Sequence, residues 1–213
     1  MTYKELQDAV ADKVKDTSSF ITAMIPNVIN EAIQQIVDEV PMPSLKRVGT
    51  VSTVVSQEWV NIKSTIPSFS GRVLYVGTSN GQIPIADGGL EQLLSSYTTL
   101  IATGDVEVVA IEGDVLWYYK TPAAATSITL VYYASPTVLI SDGDVPSDLP
   151  EMLHRDLIVN KASAIIFDHI EEGIEGNKVG MASCLAQYKT AEMQLRSWLY
   201  KRRSSVTRSC WDA

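Results

Sequence analysis

Apolar residues recur at helical spacing at both ends of the chain and at strand spacing between them. Tyr3, Leu6, Val10 and Val14 mark one face of a first helix that ends near Lys15. Thr2 and Glu5 have the spacing of a capping box ahead of it. Asp16-Thr17-Ser18-Ser19 breaks the pattern, and Pro26 suits the start of a second helix. Ile25, Val28, Ile29, Ala32, Ile33, Ile36, Val37 and Val40 form its stripe, and Pro41 and Pro43 stop it.

The stretch from Ser147 to Lys201 predicts two longer helices. Asp148 can cap the first turn of the earlier one, Glu151 can reach back to it, and Pro150 falls where a missing N–H is harmless. That helix runs to about Glu171 through Leu153, Leu157, Ala164 and Ile165. Val159, Ala162, Ile166 and Ile170 flank them, a face too wide for a single neighbour. Gly173, Gly176 and Asn177 end it. From about Lys178, the residues Met181, Leu185, Tyr188, Ala191, Leu195 and Trp198 step by four or three along one face. Lys189, Arg196 and Lys201 lie toward its C-terminal half, where positive charge suits the helix dipole.

Between the helical ends the period falls to two. Arg47–Val55 and Glu58–Ile62 are β-branched runs on either side of Ser56-Gln57, which predicts a hairpin. Val73–Thr78 and Gln82–Ile85 flank Ser79-Asn80-Gly81, with Asn-Gly the stronger hairpin signal. Val106–Ile111 and Val115–Lys120 flank Glu112-Gly113-Asp114, and Ser127–Tyr133 makes a last strand. Gly88–Tyr97 is a short helix between them. Frequent turns among short strands predict a small antiparallel sandwich or rolled sheet. Asp142-Gly143-Asp144-Val145-Pro146 is a polar linker into the Ser147 helix. The expected fold is α+β. Residues 1–44 and 147–201 make a discontinuous four-helix bundle, 45–146 an inserted antiparallel β module, and 202–213 an extended C-terminal arm.

Composition narrows the function classes. The net charge of −8 disfavours general nucleic-acid binding, which needs surplus Lys and Arg. No long apolar run predicts a membrane span, and Met1-Thr2-Tyr3-Lys4-Glu5 has no apolar signal region, so export is not expected. Cys184 and Cys210 make no disulfide framework, which suits a reducing compartment.

Few residues suggest chemistry. Glu151-Met152-Leu153-His154 has the Glu-x-x-His spacing that di-iron bundles use to face two ligands one way. A second copy is missing, because Ile166 stands three residues before His169, the other histidine. The simpler reading of His154 is a surface side chain beside the helix cap. Asp168, His169, Glu171 and Glu172 read as a solvated helix end, and Asp142-Gly143-Asp144 as a turn without the closing Glu of a calcium loop. Gly77-Thr78-Ser79-Asn80-Gly81 lacks the Lys of a phosphate loop. Cys184 reads as a small apolar core residue. Trp59, Trp117, Tyr118 and Tyr119 read as core rather than as stacking platforms. Neither a catalytic set, a metal set nor a cofactor motif is complete, so no enzyme is expected.

The tail differs. Lys201, Arg202, Arg203 and Arg208 concentrate positive charge at the end of an acidic chain, with Trp211 close by. It reads either as a disordered end or as an arm that orders on a partner, with Arg and Trp as interface anchors.

The layout resembles the head–tail adaptor proteins of tailed bacteriophages, in particular the adaptor or tail tubular protein A of short-tailed phages. The carrying residues include Asn30-Glu31-Ala32 in a helix stopped at Pro41. They continue in Val115-Leu116-Trp117-Tyr118-Tyr119-Lys120-Thr121-Pro122 and in Ile128-Thr129-Leu130-Val131-Tyr132-Tyr133 with Pro136. The clearest are Asp148-Leu149-Pro150-Glu151 followed by His154-Arg155-Asp156-Leu157-Ile158-Val159-Asn160-Lys161-Ala162. The resemblance implies a structural protein of the virion neck, assembled in the host cytoplasm as a ring, usually dodecameric, beneath the portal protein. The ring would extend the DNA channel without sequence-specific contact and seat a tail tube or nozzle protein. Arg202, Arg203, Arg208 and Trp211 are then the expected portal contacts. Two alternatives remain: another neck protein, such as a stopper or tail terminator, and a small metal-dependent bundle enzyme.

Overall fold

The fold is α+β, with five α-helices and antiparallel sheets among the described residues. The computed structural model describes residues 1–16, 18–97, 100, 102–170 and 178–207, with side chains in the last helix as far as Arg202. The chain divides into two compact units, Met1–Met42 with the chain from Pro136, and Pro43–Ser135.

In the first unit, helix α1 (Tyr3–Val14) starts at the capping box read from its sequence. The Thr2 hydroxyl accepts from the Glu5 amide, and the Glu5 carboxylate accepts from the Thr2 amide. The next two amides, of Tyr3 and Lys4, donate to the carbonyls of Asp144 and Asp142 at 2.7 and 3.1 Å. The polar turn at Asp142-Gly143-Asp144 thus satisfies groups that a helix start otherwise leaves to water. Asp144 holds the turn itself, its carboxylate accepting from the Ile140 and Ser141 amides. Those two bonds keep its carboxyl below the ordinary carboxylate range. Tyr3, Leu6, Val10 and Val14 are buried, as their spacing predicts.

Helix α2 (Ser19–Glu39) corrects the expected start at Pro26. Ser18 caps it, and Pro26 lies in its interior. An interior proline removes one helical hydrogen bond and strains the preceding turn. Here buried Ile21 and Ile25 continue the stripe of Val28, Ile29, Ala32, Ile33, Ile36 and Val37, and this packing carries the helix through. The Pro26 carbonyl is also used, accepting from the Tyr3 hydroxyl and the Asn30 side-chain amide. Asn30 meanwhile bonds both backbone groups of Leu139, fixing the segment after Pro136 onto α2.

The start of the third long helix also departs from expectation. Pro150 rather than Asp148 stands at the N-cap position, and the Asp148 carboxylate accepts from the Thr137 amide. Glu151–Leu153 is a 3-10 turn, Arg155–Val159 a π-helical turn, and regular α4 spans Asn160–Ile170. A π turn shifts the helix face by inserting a residue. That shift allows Leu157, Ile158 and Val159 to be buried in succession. Helix α4 packs against α1, α2 and α5 (Val179–Thr207), so it is buried nearly all round. The expected helix breakers Gly173, Gly176 and Asn177 lie outside the described residues.

In the second unit, a four-stranded sheet has the order β1-β7-β3-β4 and a three-stranded sheet the order β2-β6-β5. The strands are β1 (Lys46–Ser52), β2 (Trp59–Asn61), β3 (Phe69–Thr78), β4 (Gly81–Gln82), β5 (Val108–Glu112), β6 (Val115–Tyr119) and β7 (Ser127–Ala134). Strand pairing within both sheets is antiparallel. The sheets share one core, in which Val51, Phe69, Val76, Ile128 and Leu130 meet Val60, Val109, Leu116 and Tyr118. Helix α3 (Gly89–Ser96) covers part of the outer face of the three-stranded sheet, with Leu93 against Ala110.

The hairpin expected at Ser56-Gln57 does not form. Strand β1 pairs with β7, and β2 pairs with β6 in the other sheet. Thr53 and Thr126 extend the β1–β7 ladder, and the chain then crosses between sheets. The buried Tyr118 hydroxyl bonds both backbone groups of Val54 at the crossing. The two tighter hairpins do form. Thr78 pairs with Gly81, and Glu112 with Val115. Gly113 has φ +58 in open space, so only backbone conformation resists a side chain there. Gly113→Ala is expected to cost about 1 kcal/mol and Gly113→Asn less, read from urea denaturation midpoints.

Candidate interaction site on the C-terminal helix

Helix α5 buries Cys184, Tyr188, Ala191 and Leu195, while Met181, Leu185 and Trp198 are half-buried. This is the face its spacing predicts, rotated slightly toward Cys184. Beside that face, a charged cluster that the apolar pattern did not reveal joins the helix to α2 and α4. The Glu39 carboxylate, at the end of α2, accepts from the Lys161 ammonium at 2.8 Å and the Tyr188 hydroxyl at 2.6 Å. Lys189 lies 3.7 Å from the same carboxylate and 2.7 Å from Glu192. Arg196 binds Glu192 at 2.6 Å and donates to the backbone carbonyl of Glu39 at 3.2 Å. That last bond places a cation on the C-terminal end of α2, where the helix dipole favours it.

Lys161 has little access to water, and its ammonium also lies 4.7 Å from the centre of the Tyr188 ring. Burial alone would raise the Glu39 carboxyl, but the bonds from Lys161 and Tyr188 and the Lys189 charge hold it below the ordinary carboxylate range. The bond from Lys189 keeps Glu192 low as well, with Arg196 assisting against burial. Burial and then the Glu39 bond push the Tyr188 phenol up. Lys13 of α1 bonds Asn160 on α4 and Gln187 on α5, joining a fourth helix to the same region.

Beyond Leu195 the surface of α5 opens. Tyr200, Lys201 and Arg202 are largely exposed. The Arg202 guanidinium sits 4.2 Å from the centre of the Trp198 ring, a cation–π contact. Helix α5 continues to Thr207, past the helix end expected at Lys201. Lys201, Arg202 and Arg203 are good helix formers, and a helix already nucleated extends without an apolar stripe. Arg202 and Arg203 are therefore helical residues, and Arg208 and Trp211 lie outside the described residues.

His154 corrects the surface reading. It is 1% exposed. Its Nε2–H donates to the Leu149 carbonyl at 3.0 Å, and Nδ1 accepts from the Met1 amino group at 3.3 Å. Glu151 is exposed and the pair does not form a ligand set. Among the described residues no group of His, Cys, Asp and Glu is placed to hold a metal ion. Burial depresses the His154 imidazole, against the Leu149 and Pro146 carbonyls, and the nearby amino group depresses it further against Glu151.

A depressed histidine stabilises the fold above its unfolded value of 6.5. The stability is lost as pH falls from there to the lower folded value, since only the unfolded chain takes up the proton in that window. Glu39 and Glu192, lowered from 4.5, lose their contribution at more acid pH. His154→Phe is expected to flatten the stability-versus-pH curve just below pH 6.5 while leaving the acid limb below 4.5 in place. Urea titrations at stepped pH measure both slopes.

Among the described residues no helix is long and apolar enough to cross a membrane. A family model described as SU10 adaptor protein matches residues 1–209. No curated protein matches the chain.

Proposed function

The chain belongs to the SU10 adaptor protein family of phage head–tail adaptors, and from that premise we propose that it is a structural part of the virion neck. Copies form a ring, usually dodecameric, beneath the portal protein. The ring lengthens the DNA channel and presents a platform to a tail tube or nozzle protein. The two N-terminal and two long C-terminal helices act as one bundle, with the β unit as an insert. The end of α5 and the residues after it face the portal, through Arg202, Arg203, Arg208 and Trp211. DNA passes without sequence-specific contact.

The observation that carries this reading is the family match, which extends from the first residue almost to the last. The concentration of positive charge and exposed aromatic surface around Trp198, Tyr200 and Arg202 supports the choice of portal-facing end. Such residues supply much of the binding energy at protein interfaces. Sedimentation with purified portal particles tests the proposal. The chain is expected to travel with the portal and to remain behind when mixed with an unrelated ring-shaped protein. Failure to travel with the portal at micromolar concentrations overturns the assignment.

A further inference from the structure

The β unit separates its charges between its two sheets. The strands of the four-stranded sheet contain Lys46, Arg47 and Arg72 and no acidic residue. The three-stranded sheet and α3 contain Glu112 and Glu91 and no cation. These five side chains are exposed, and none forms an ion pair among the described residues. By contrast Lys63 and Lys120, the other cations of the unit, are paired with Asp114 and Glu107.

Each sheet also has apolar surface on the side away from the shared core. On the four-stranded sheet, strand alternation places Val48, Val131 and Tyr75 outward, because Gly49, Leu130 and Val76 face in. Val48 is 70% exposed. Lys46 and Arg72 lie over the Tyr133 ring on the same side, which fixes where their charge is presented. On the three-stranded sheet the outward row contains the Trp59–Trp117 pair, with ring centres 6.2 Å apart. Trp59 is 39% exposed, and Leu94 on α3 is half-exposed. Glu112 shares this outward side, in alternation with Ala110 beneath Leu93.

We infer that the cationic face around Lys46, Val48 and Arg72 docks onto the acidic, tryptophan-bearing face of the β unit of a second copy of this chain. Two faces of one molecule, apolar at the centre and opposite in charge, are complementary to each other and not to themselves. Like charge meeting like charge disfavours a two-fold dimer through either face alone. It produces head-to-tail contacts, which close into a ring when the rotation per subunit allows. Opposite charge at the edge speeds encounter and sets the register, while the aromatic pair against Val48 supplies apolar burial. The inference rests on the ring proposed above and names the surfaces through which neighbours meet.

The test uses the full chain, free and bound to purified portal particles. Unlabelled and nitrogen-15-labelled chains are mixed and treated with a carbodiimide, which joins a lysine amine to a carboxylate. Mass spectrometry should find Lys46 of one isotope joined to Glu91 or Glu112 of the other. The double variants K46E/R72E and E91K/E112K, each checked by circular dichroism, should weaken self-association by about a hundredfold or more. An equal mixture of the two should recover it, since each altered face then meets an oppositely charged one. Assembly at wild-type strength by both variants overturns the inference and leaves the ring standing. A wild-type chain that stays monomeric both in solution and on the portal overturns the ring and the inference together. Intact assembly of K46E/R72E with loss of duplex-DNA binding assigns the cationic face to nucleic acid and overturns the inference as well.

Discussion

Replacing Glu39 with alanine is expected to lower the unfolding free energy of the helical unit by about 2–4 kcal/mol. The substitution leaves the Lys161 ammonium without its carboxylate and the Tyr188 hydroxyl without its acceptor. Both groups sit where water reaches poorly: Tyr188 is fully buried and Lys161 nearly so. Removing one member of such a pair costs more than the pair contributes, because the remaining charge stays buried without a partner. The range sits below that of a fully buried pair because the Glu39 side chain is 35% exposed. Lys161→Met should cost less, since the exposed carboxylate keeps Tyr188 and Lys189 as partners. The double variant E39A/K161M should therefore cost less than the sum of the single changes, by a coupling of about 1–3 kcal/mol. Amide exchange localises the effect: α5 and the end of α2 should exchange faster in E39A, while the β strands of the other unit stay protected. An E39A chain within about 0.5 kcal/mol of wild type would remove the charged cluster from the account of how α5 is held.

Deleting residues 202–213 is expected to abolish binding to the portal while leaving the fold intact. The residues that bury α5 end at Leu195, with Trp198 and Leu199 half-covered, so the cut falls after the packed part of the helix. Its cost in stability should be small, because the cut removes the Arg202–Trp198 contact and the last helical bonds but keeps the buried Cys184, Tyr188, Ala191 and Leu195. Its cost in binding should be large, because it removes Arg202, Arg203, Arg208 and Trp211 together. Binding measured by sedimentation should fall beyond detection, and circular dichroism and the urea midpoint should stay close to wild type. Arg202→Ala alone should weaken binding by roughly tenfold, within the range of single interface arginines. Undiminished binding by the shortened chain would move the portal contact to another part of the surface.

These two predictions draw on different kinds of information, and the sequence contains them unequally. Features fixed within a few residues were legible. The capping box at Thr2 and Glu5, the buried face of α1 and the hairpins at Asn80-Gly81 and Gly113 all depend on local chemistry. Features decided by distant contacts were not. Pro26 reads as a helix start until Ile21 and Ile25 are seen to be buried with the rest of α2. Ser56-Gln57 reads as a hairpin because adjacent strands in sequence commonly pair, yet Thr53 keeps bonding Thr126 and sends the chain across to the other sheet. Asp148 has the right spacing to cap, but the helical turns start after Pro150, and the Asp148 carboxylate accepts from the Thr137 amide. His154 looks exposed beside a helix start, and only the packing of the 3-10 and π turns buries it.

The charged cluster shows the same division within one site. Lys189, Glu192 and Arg196 stand at the three- and four-residue spacings that join side chains along a helix, so their mutual pairing could have been read. The partner that gives the pairing its consequence, Glu39, lies far away in sequence and falls on the polar side of its own helix pattern. Lys161 sits in an apolar run beside Ala162, and an isolated lysine there signals a buried charge without naming what neutralises it. Of the expected portal contacts, Arg202 is placed by the structure on an exposed part of α5, against Trp198.

Imaging the chain bound to purified portal particles tests the adaptor assignment most directly. Averaged views should reveal one additional ring stacked on the portal, coaxial with its channel and of the same rotational symmetry, absent from particles prepared with the chain lacking residues 202–213. Portal particles that stay bare, or that bind copies scattered around the outer wall with the channel left at its original length, would contradict a neck adaptor.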